Sequence, residues 1–239
     1  MCEWLAYSSN NTSLPENWVR YFASRSSHIR DGWGVGWHEG DVAQIVKSEE
    51  QIGASEEFPK HAMKAKGNQV MLHARRATSN PGNPLDSHPF SYSFLGGEWL
   101  FAHHGFVRPL LEEKYPSLFE SKIDSARLFS FIIRKANEYL AGKSIGGIYP
   151  AIRHALKQAI NKYPESSMNL VLSDGNVLIA FHHHRSKALR LWKQNGNQPA
   201  VAVTTIKNFE LGGEWTKIES NRLVVVGNGK ILVYSDRID

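Results

Sequence analysis

The sequence predicts an α+β fold built on antiparallel sheets, and the order of its segments is the reason. Short strand-like runs come first, two helical patterns follow one another near the middle, and strand-like runs return to the end. A chain of βαβ units would alternate strand and helix throughout. No internal repeat, low-complexity segment or linker interrupts the 239 residues. That length suits one domain, 1–239, with ample material for a core.

Taken in order, Cys2–Tyr7 (CEWLAY) is short, aromatic and apolar, and the turn formers Ser8–Ser13 close it as a strand. Asp31–His38 reads as a strand carrying Gly32, Gly34 and Gly36, which predicts either close backbone approach or a bulge. Ala43–Lys47 can pair with it as a hairpin. Gln69–Arg75 alternates and runs into Ala77–Pro84, a loop by its Ser, Asn, Pro and Gly content. Glu98–His103 is a further strand with His104 and Gly105 at its mouth. Asp124 opens an amphipathic helix in which Leu128, Phe129, Ile132, Ile133, Ala136, Tyr139 and Leu140 fall at helical spacing. A second helix covers about Ile148–Lys162. Strands then follow at Asn169–Ser173 and Val177–Phe181, around the turn Asp174-Gly175-Asn176, and at Leu189–Trp192, Val201–Thr204, Leu223–Gly227 and Ile231–Ser235.

Composition excludes several function classes. Against 23 acidic residues stand 28 basic ones, a formal charge of +5, but Lys and Arg are scattered rather than interleaved with aromatics. Nucleic acid is therefore not an expected partner. No run approaches 18 apolar residues and no signal peptide is present, so neither a membrane partner nor export is expected. Cys2 is the single cysteine, which rules out an intrachain disulfide. The chain reads as cytoplasmic.

Cys2 is also the residue that carries chemistry. Removal of Met1 would place a thiol of pKa about 8.5 and an α-amine titrating at roughly 7.7–8.0 on one Cα. That pair is a nucleophile with its own base, the minimal equipment for N-terminal-nucleophile amide hydrolysis. Arg75-Arg76 at a strand end is either a solvated edge or a fork for a carboxylate. Asp124 at a helix start is either an N-cap or a functional anion. His73 and His103, inside strands, read as satisfied core histidines. His182-His183-His184 with His103-His104 leaves a histidine-based metal site as an alternative, although adjacent strand residues face opposite ways.

The order Cys2, Arg75-Arg76-Ala77-Thr78, His88-Pro89-Phe90, Ala102-His103-His104-Gly105, Asp124 resembles the class II glutamine amidotransferases, the N-terminal-nucleophile glutaminases. His73–Thr78 is similar to that family's His-Thr-Arg-Trp-Ala-Thr, Asp86-Ser87-His88-Pro89 to its Asn-x-His-Pro, and Ile123-Asp124-Ser125 to its Thr-Asp-Ser. Asp31-Gly32-Trp33-Gly34 and Ser173-Asp174-Gly175 resemble a stand-alone bacterial branch. His104 replaces the family's oxyanion Asn, Asp86 the Asn of Asn-x-His-Pro, and Arg76 its usual Trp.

The resemblance implies a four-layer αββα sandwich of two antiparallel sheets and no cofactor or metal. It implies that Cys2 attacks the side-chain amide of glutamine or a related γ-glutamyl compound. Arg75, helped by Thr78, would grip the substrate carboxylate and Asp124 its ammonium. The Gly105 N–H would serve the oxyanion, with His104 as its second donor in place of Asn. Any acceptor chemistry would lie on a separate synthase subunit. A non-catalytic γ-glutamyl-binding relative remains the alternative.

Overall fold

The computed structural model describes residues 2–77, 82–141, 147–184, 187–206 and 211–239. In chain order the elements are β1 (Glu3–Ser9), α1 (Glu16–Ser26), β2 (Trp33–Glu39), β3 (Val42–Ser48), α2 (Glu57–Lys64), β4 (Gln69–Ala74), β5 (Phe90–Phe94), β6 (Gly97–Phe106), α3 (Arg108–Glu112), α4 (Asp124–Leu140), α5 (Ile148–Lys162), β7 (Ser167–Ser173), β8 (Leu178–His183), β9 (Leu189–Gln194), β10 (Ala200–Thr204), β11 (Glu214–Ile218), β12 (Arg222–Gly227) and β13 (Lys230–Tyr234). A single 3₁₀ turn, Pro84–Asp86, precedes β5.

The strands form two sheets in the orders β11-β9-β10-β1-β4-β2-β3 and β13-β12-β8-β7-β6-β5. All their pairings are antiparallel. Three apolar clusters define the layers. Trp4, Ala6 and Met71 of the first sheet meet Ala102, Val171 and Ala180 of the second. Trp18, Phe22 and Phe58 bring α1 and α2 onto the outer face of the first sheet. Leu128, Ile132, Ile152 and Leu156 bring α4 and α5 onto the outer face of the second. The architecture is a four-layer αββα sandwich. This explains why β1 is apolar at nearly every position: Trp4 and Ala6 pack between the sheets while Leu5 and Tyr7 pack under the helices. No helix is long and apolar enough, among the described residues, to cross a membrane.

The site depends on where β1 lies. It is hydrogen-bonded on both sides, to β10 and to β4, with Glu3 opposite Ala74 and Trp4 opposite His73. Cys2 therefore sits at the end of an interior strand, level with Arg75 just past the end of β4.

The glycine-rich strand resolves in favour of close approach. A Cβ at Gly34 would stand 1.9 Å from the His88 carbonyl oxygen, so the His88-Pro89 backbone rests directly on β2. The hairpin with Ala43–Lys47 forms as read, in the register Trp37 to Gln44.

Five elements lie outside the sequence expectations: α1, α2, α3, β5 and β11. Helix α1 buries only Trp18, Val19, Phe22 and Ser26 of eleven residues, and α2 only Phe58 and Ala62 of eight. Such narrow stripes are weak periodic signals, made decisive by the sheet they cover. Strand β6 also runs on through His104 and Gly105 to Phe106, because Gly105 pairs with Met168 of β7.

Candidate active site

Strand ends and one helix start converge on a small cavity of about 40 Å³. Cys2, Arg75, Asp86, Gly105 and Asp124 all line it, with His103 and Ser125. The Cys2 sulfur accepts the Arg76 backbone N–H at 3.2 Å, and the thiol donates to the Arg76 carbonyl at 3.4 Å. Burial pushes the thiol pKa up, while the Arg76 N–H and the Arg75 guanidinium pull it back down.

Arg75 is almost fully buried. Its guanidinium lies 3.3 Å from the Asp86 carboxylate and donates at 3.3 Å to the Asp31 carbonyl. Asp86 in turn accepts from the Ser121 hydroxyl at 2.6 Å. A buried cation held this way is oriented, not merely present. The solvated-edge reading of Arg75 is corrected by that burial.

Asp124 is the first residue of α4, and its N-cap is Ile123. The carboxylate accepts the Val107 N–H at 2.8 Å, a bond to the segment after β6 rather than to its own helix. The helix-cap reading is therefore corrected: Asp124 ties α4 to the end of β6 and keeps its charge at the cavity wall.

Alternation along β6 separates its two histidines. His103 faces α4, bonded to the Ser125 hydroxyl and the Ser167 carbonyl, both at 2.9 Å. Because a carbonyl only accepts, Nε2 carries the proton and Nδ1 takes the hydroxyl. This is a satisfied histidine, and it also lines the cavity. His104 points the other way, and its Nδ1 lies 2.5 Å from the Cys2 carbonyl oxygen. Burial lowers its pKa to about 3, so the ring is neutral and owns one N–H. That proton is committed to the Cys2 carbonyl, and Nε2 is left buried without a partner among the described residues. The expectation that His104 donates to an oxyanion is corrected on this ground: its donor holds the backbone behind the nucleophile.

Gly105, the neighbouring residue, reaches the cavity because it has no side chain. A Cβ there would stand 1.8 Å from the Ser167 carbonyl oxygen. Thr78 lies outside the described residues. His73 departs from its reading: both of its ring nitrogens are buried without a partner among the described residues, as are both of His88, whose ring centroid is 4.3 Å away. Burial lowers both rings well below the ordinary range. No three His, Cys, Asp or Glu side chains among the described residues are grouped to hold a metal ion. His182 instead gives its Nδ1 to the Ile218 carbonyl at 2.6 Å.

Sequence reasoning missed Arg76 as a backbone donor to sulfur, and Asp86 and Ser121 as the support of Arg75. The first has no side-chain signal at all. The second was legible only as Asp86 standing where the family has Asn.

Over 265 aligned residues the chain is 25% identical to an uncharacterized protein of Methanocaldococcus jannaschii, covering 99% of this chain and 72% of that one. It is 27% identical over 150 residues to the gamma-glutamyl-hercynylcysteine sulfoxide hydrolase of Mycobacterium tuberculosis, covering 63% of this chain and 58% of the hydrolase. Its fold matches that of the glutamine phosphoribosylpyrophosphate amidotransferase of B. subtilis with a TM-score of 0.67 at 15% identity, over 100% of this chain and 49% of that one. The family model described as glutamine amidotransferases class-II matches residues 1–238, so this chain, with Cys2 at the end of an interior strand of an αββα sandwich, belongs to that family.

Proposed function

We propose that this chain hydrolyses the side-chain amide of glutamine or of a related γ-glutamyl compound, with Cys2 as nucleophile once Met1 is removed. The observation that carries the reading is one cavity lined by a thiol, a buried guanidinium and a buried carboxylate: Cys2, Arg75 and Asp124. An amino-acid head group needs one fixed cation and one fixed anion, and acyl transfer needs a nucleophile beside them. The Mycobacterium tuberculosis relative, a gamma-glutamyl-hercynylcysteine sulfoxide hydrolase, supports the γ-glutamyl part of this reading.

In this mechanism the freed α-amine of Cys2 takes the thiol proton, and the thiolate forms a bond to the amide carbon. The Gly105 N–H stabilises the oxyanion of the tetrahedral intermediate. The C–N bond then breaks, the departing amine takes the proton from the α-ammonium, and a γ-glutamyl thioester remains on Cys2. Water, deprotonated by the same α-amine, attacks the thioester and releases the γ-glutamyl carboxylate and the thiol. Arg75 and Thr78 hold the substrate α-carboxylate, and Asp124 holds its ammonium. His104 keeps the Cys2 carbonyl in place throughout.

Incubation with 6-diazo-5-oxo-norleucine, followed by intact mass spectrometry, tests this. The expected mass lacks Met1 and carries one adduct, mapped to Cys2. Retention of Met1 in an active enzyme, or an equal adduct on Cys2→Ala, overturns the mechanism.

A second reading, binding of γ-glutamyl compounds without turnover, draws on the thiol's upward-shifted pKa. Saturable glutamine binding with no ammonia release from protein shown to lack Met1 would select it.

A further inference from the structure

Strands β3 and β5 are the last strands of their sheets. Residues of both line a cavity of about 310 Å³, closed below by the chain around Phe119 and Ser121. Its wall is largely apolar: Ile45, Leu85, Phe90 and Phe119. Two charged residues join them, Lys47 and, exposed at the rim, Glu120. Ile45, Phe119 and Lys47 are only partly buried and Leu85 is 51% exposed, so this wall is reached from solvent.

Lys47 is the second pointer. It shares a face of β3 with Ile45, which packs between the sheets, so its stem enters the layer interface. Its ammonium lies 4.8 Å from the Phe90 ring centroid and forms no ion pair among the described residues. Burial lowers its pKa to about 8, and the charge of Asp86 pulls it back up. A charge drawn this far from water gains from an anion placed beside it.

We propose that this cavity binds a small monocarboxylate with an apolar aryl or branched alkyl body, its carboxylate on Lys47 and its body against Ile45, Leu85 and Phe119. The volume lies at the lower end of small-molecule sites, and such sites pair apolar walls with a few placed polar groups. A phosphate ester needs several donors and leaves the apolar wall uncovered. A neutral apolar ligand leaves the ammonium unanswered. Glu120 at the rim opposes a second negative charge on the ligand.

This site is distinct from the cavity at Cys2. Asp86 lines that cavity and Ser121 lines this one, and the Ser121 hydroxyl donates to the Asp86 carboxylate at 2.6 Å between them. The ligand therefore lies behind the carboxylate that steadies Arg75, outside the substrate's place. The inference does not rest on the proposed hydrolysis.

Calorimetric titration of the full chain tests it, with phenylacetate and isovalerate as probes. Phenylacetamide, acetate and inorganic phosphate serve as comparisons that lack the charge or the apolar body. Saturable binding of at least one probe is expected, about tenfold or more tighter than that of any comparison. Lys47→Met should weaken it by a similar factor, with a melting temperature at or above wild type. Lys47→Arg keeps the charge and should recover most of the binding, and Glu120→Gln should tighten it. Cys2→Ala should bind the probe as the wild type does. Four outcomes would each overturn the site or its ligand class: no saturable binding of either probe, phenylacetamide or acetate binding equally well, binding unaltered in Lys47→Met, or binding lost in Cys2→Ala.

Discussion

Asp124 and His104 show how a single side chain acquires a job from its partner. The Asp124 carboxylate accepts the Val107 N–H. An Asn amide oxygen can accept the same bond, so Asp124→Asn separates charge from architecture. We expect its melting temperature to stay close to wild type while KM for glutamine rises at least tenfold, as lost recognition of an ammonium requires. A fall in melting temperature with KM unchanged would remove Asp124 from the substrate site. For His104, the Nδ1–H bond to the Cys2 carbonyl predicts a different pattern. His104→Ala leaves that carbonyl without its donor and should lower kcat, with KM little changed. His104→Asn restores an N–H of similar reach and should recover most of the loss. Equal rates in the two variants would sever His104 from the nucleophile.

At the scale of elements, the site is a meeting of ends. Strand β1 delivers Cys2, β4 delivers Arg75, β6 delivers Gly105, and α4 delivers Asp124. The segment that joins them is Asp86-Ser87-His88-Pro89, because Asp86 steadies Arg75 and the His88 backbone lies on Gly34. Gly34→Ala would place a methyl 1.9 Å from the His88 carbonyl oxygen, and backbone cannot yield as a flexible side chain does. Overpacking of this kind costs about 1–3 kcal/mol. Displacing the segment also unseats Asp86. The expectation is a lower melting temperature together with a raised KM, measured on one preparation. A stability loss with unaltered KM would show that the segment does not steady Arg75.

Across the whole molecule, the sandwich buries histidines in the neutral form. Desolvation lowers the pKa of His73, His88, His103, His104, His182 and His184. The sign follows from linkage. Below about 6.5 the unfolded chain binds protons that the folded chain refuses, so stability is present above pH 6.5 and is lost as pH falls. For His104 the window runs from about 6.5 down to about 3, and for His184 down to about 4. Each buried histidine contributes a slope of up to about 1.4 kcal/mol per pH unit within its window, and the partly exposed His184 contributes less because solvent screens it. Urea unfolding between pH 7 and 5, above the carboxylate range, should show stability falling with acid. His104→Asn should reduce that slope by roughly one proton. A flat profile over that range would mean that these rings are solvated rather than buried.

How much of this was legible in the sequence follows from the range of the forces involved. Local patterns are written in neighbouring residues, so the periodicity of Leu128–Leu140 marked α4 and the apolar run after Cys2 marked β1. The order of short motifs, with Cys2, Arg75, Gly105 and Asp124 in fixed succession, was enough to point to the family. What a partner decides could not be read this way. Helices α1 and α2 carry too narrow an apolar stripe to announce themselves without the sheet they cover. Asp124 looked like a cap until the Val107 N–H was brought to it, and His104 looked like an oxyanion donor until its one N–H was seen to donate to the Cys2 carbonyl. A residue's type states what it can donate, accept or bury. Only the tertiary structure decides which groups stand within 3 Å to receive it, because those groups can lie 102 residues away along the chain, as for His104 and Cys2.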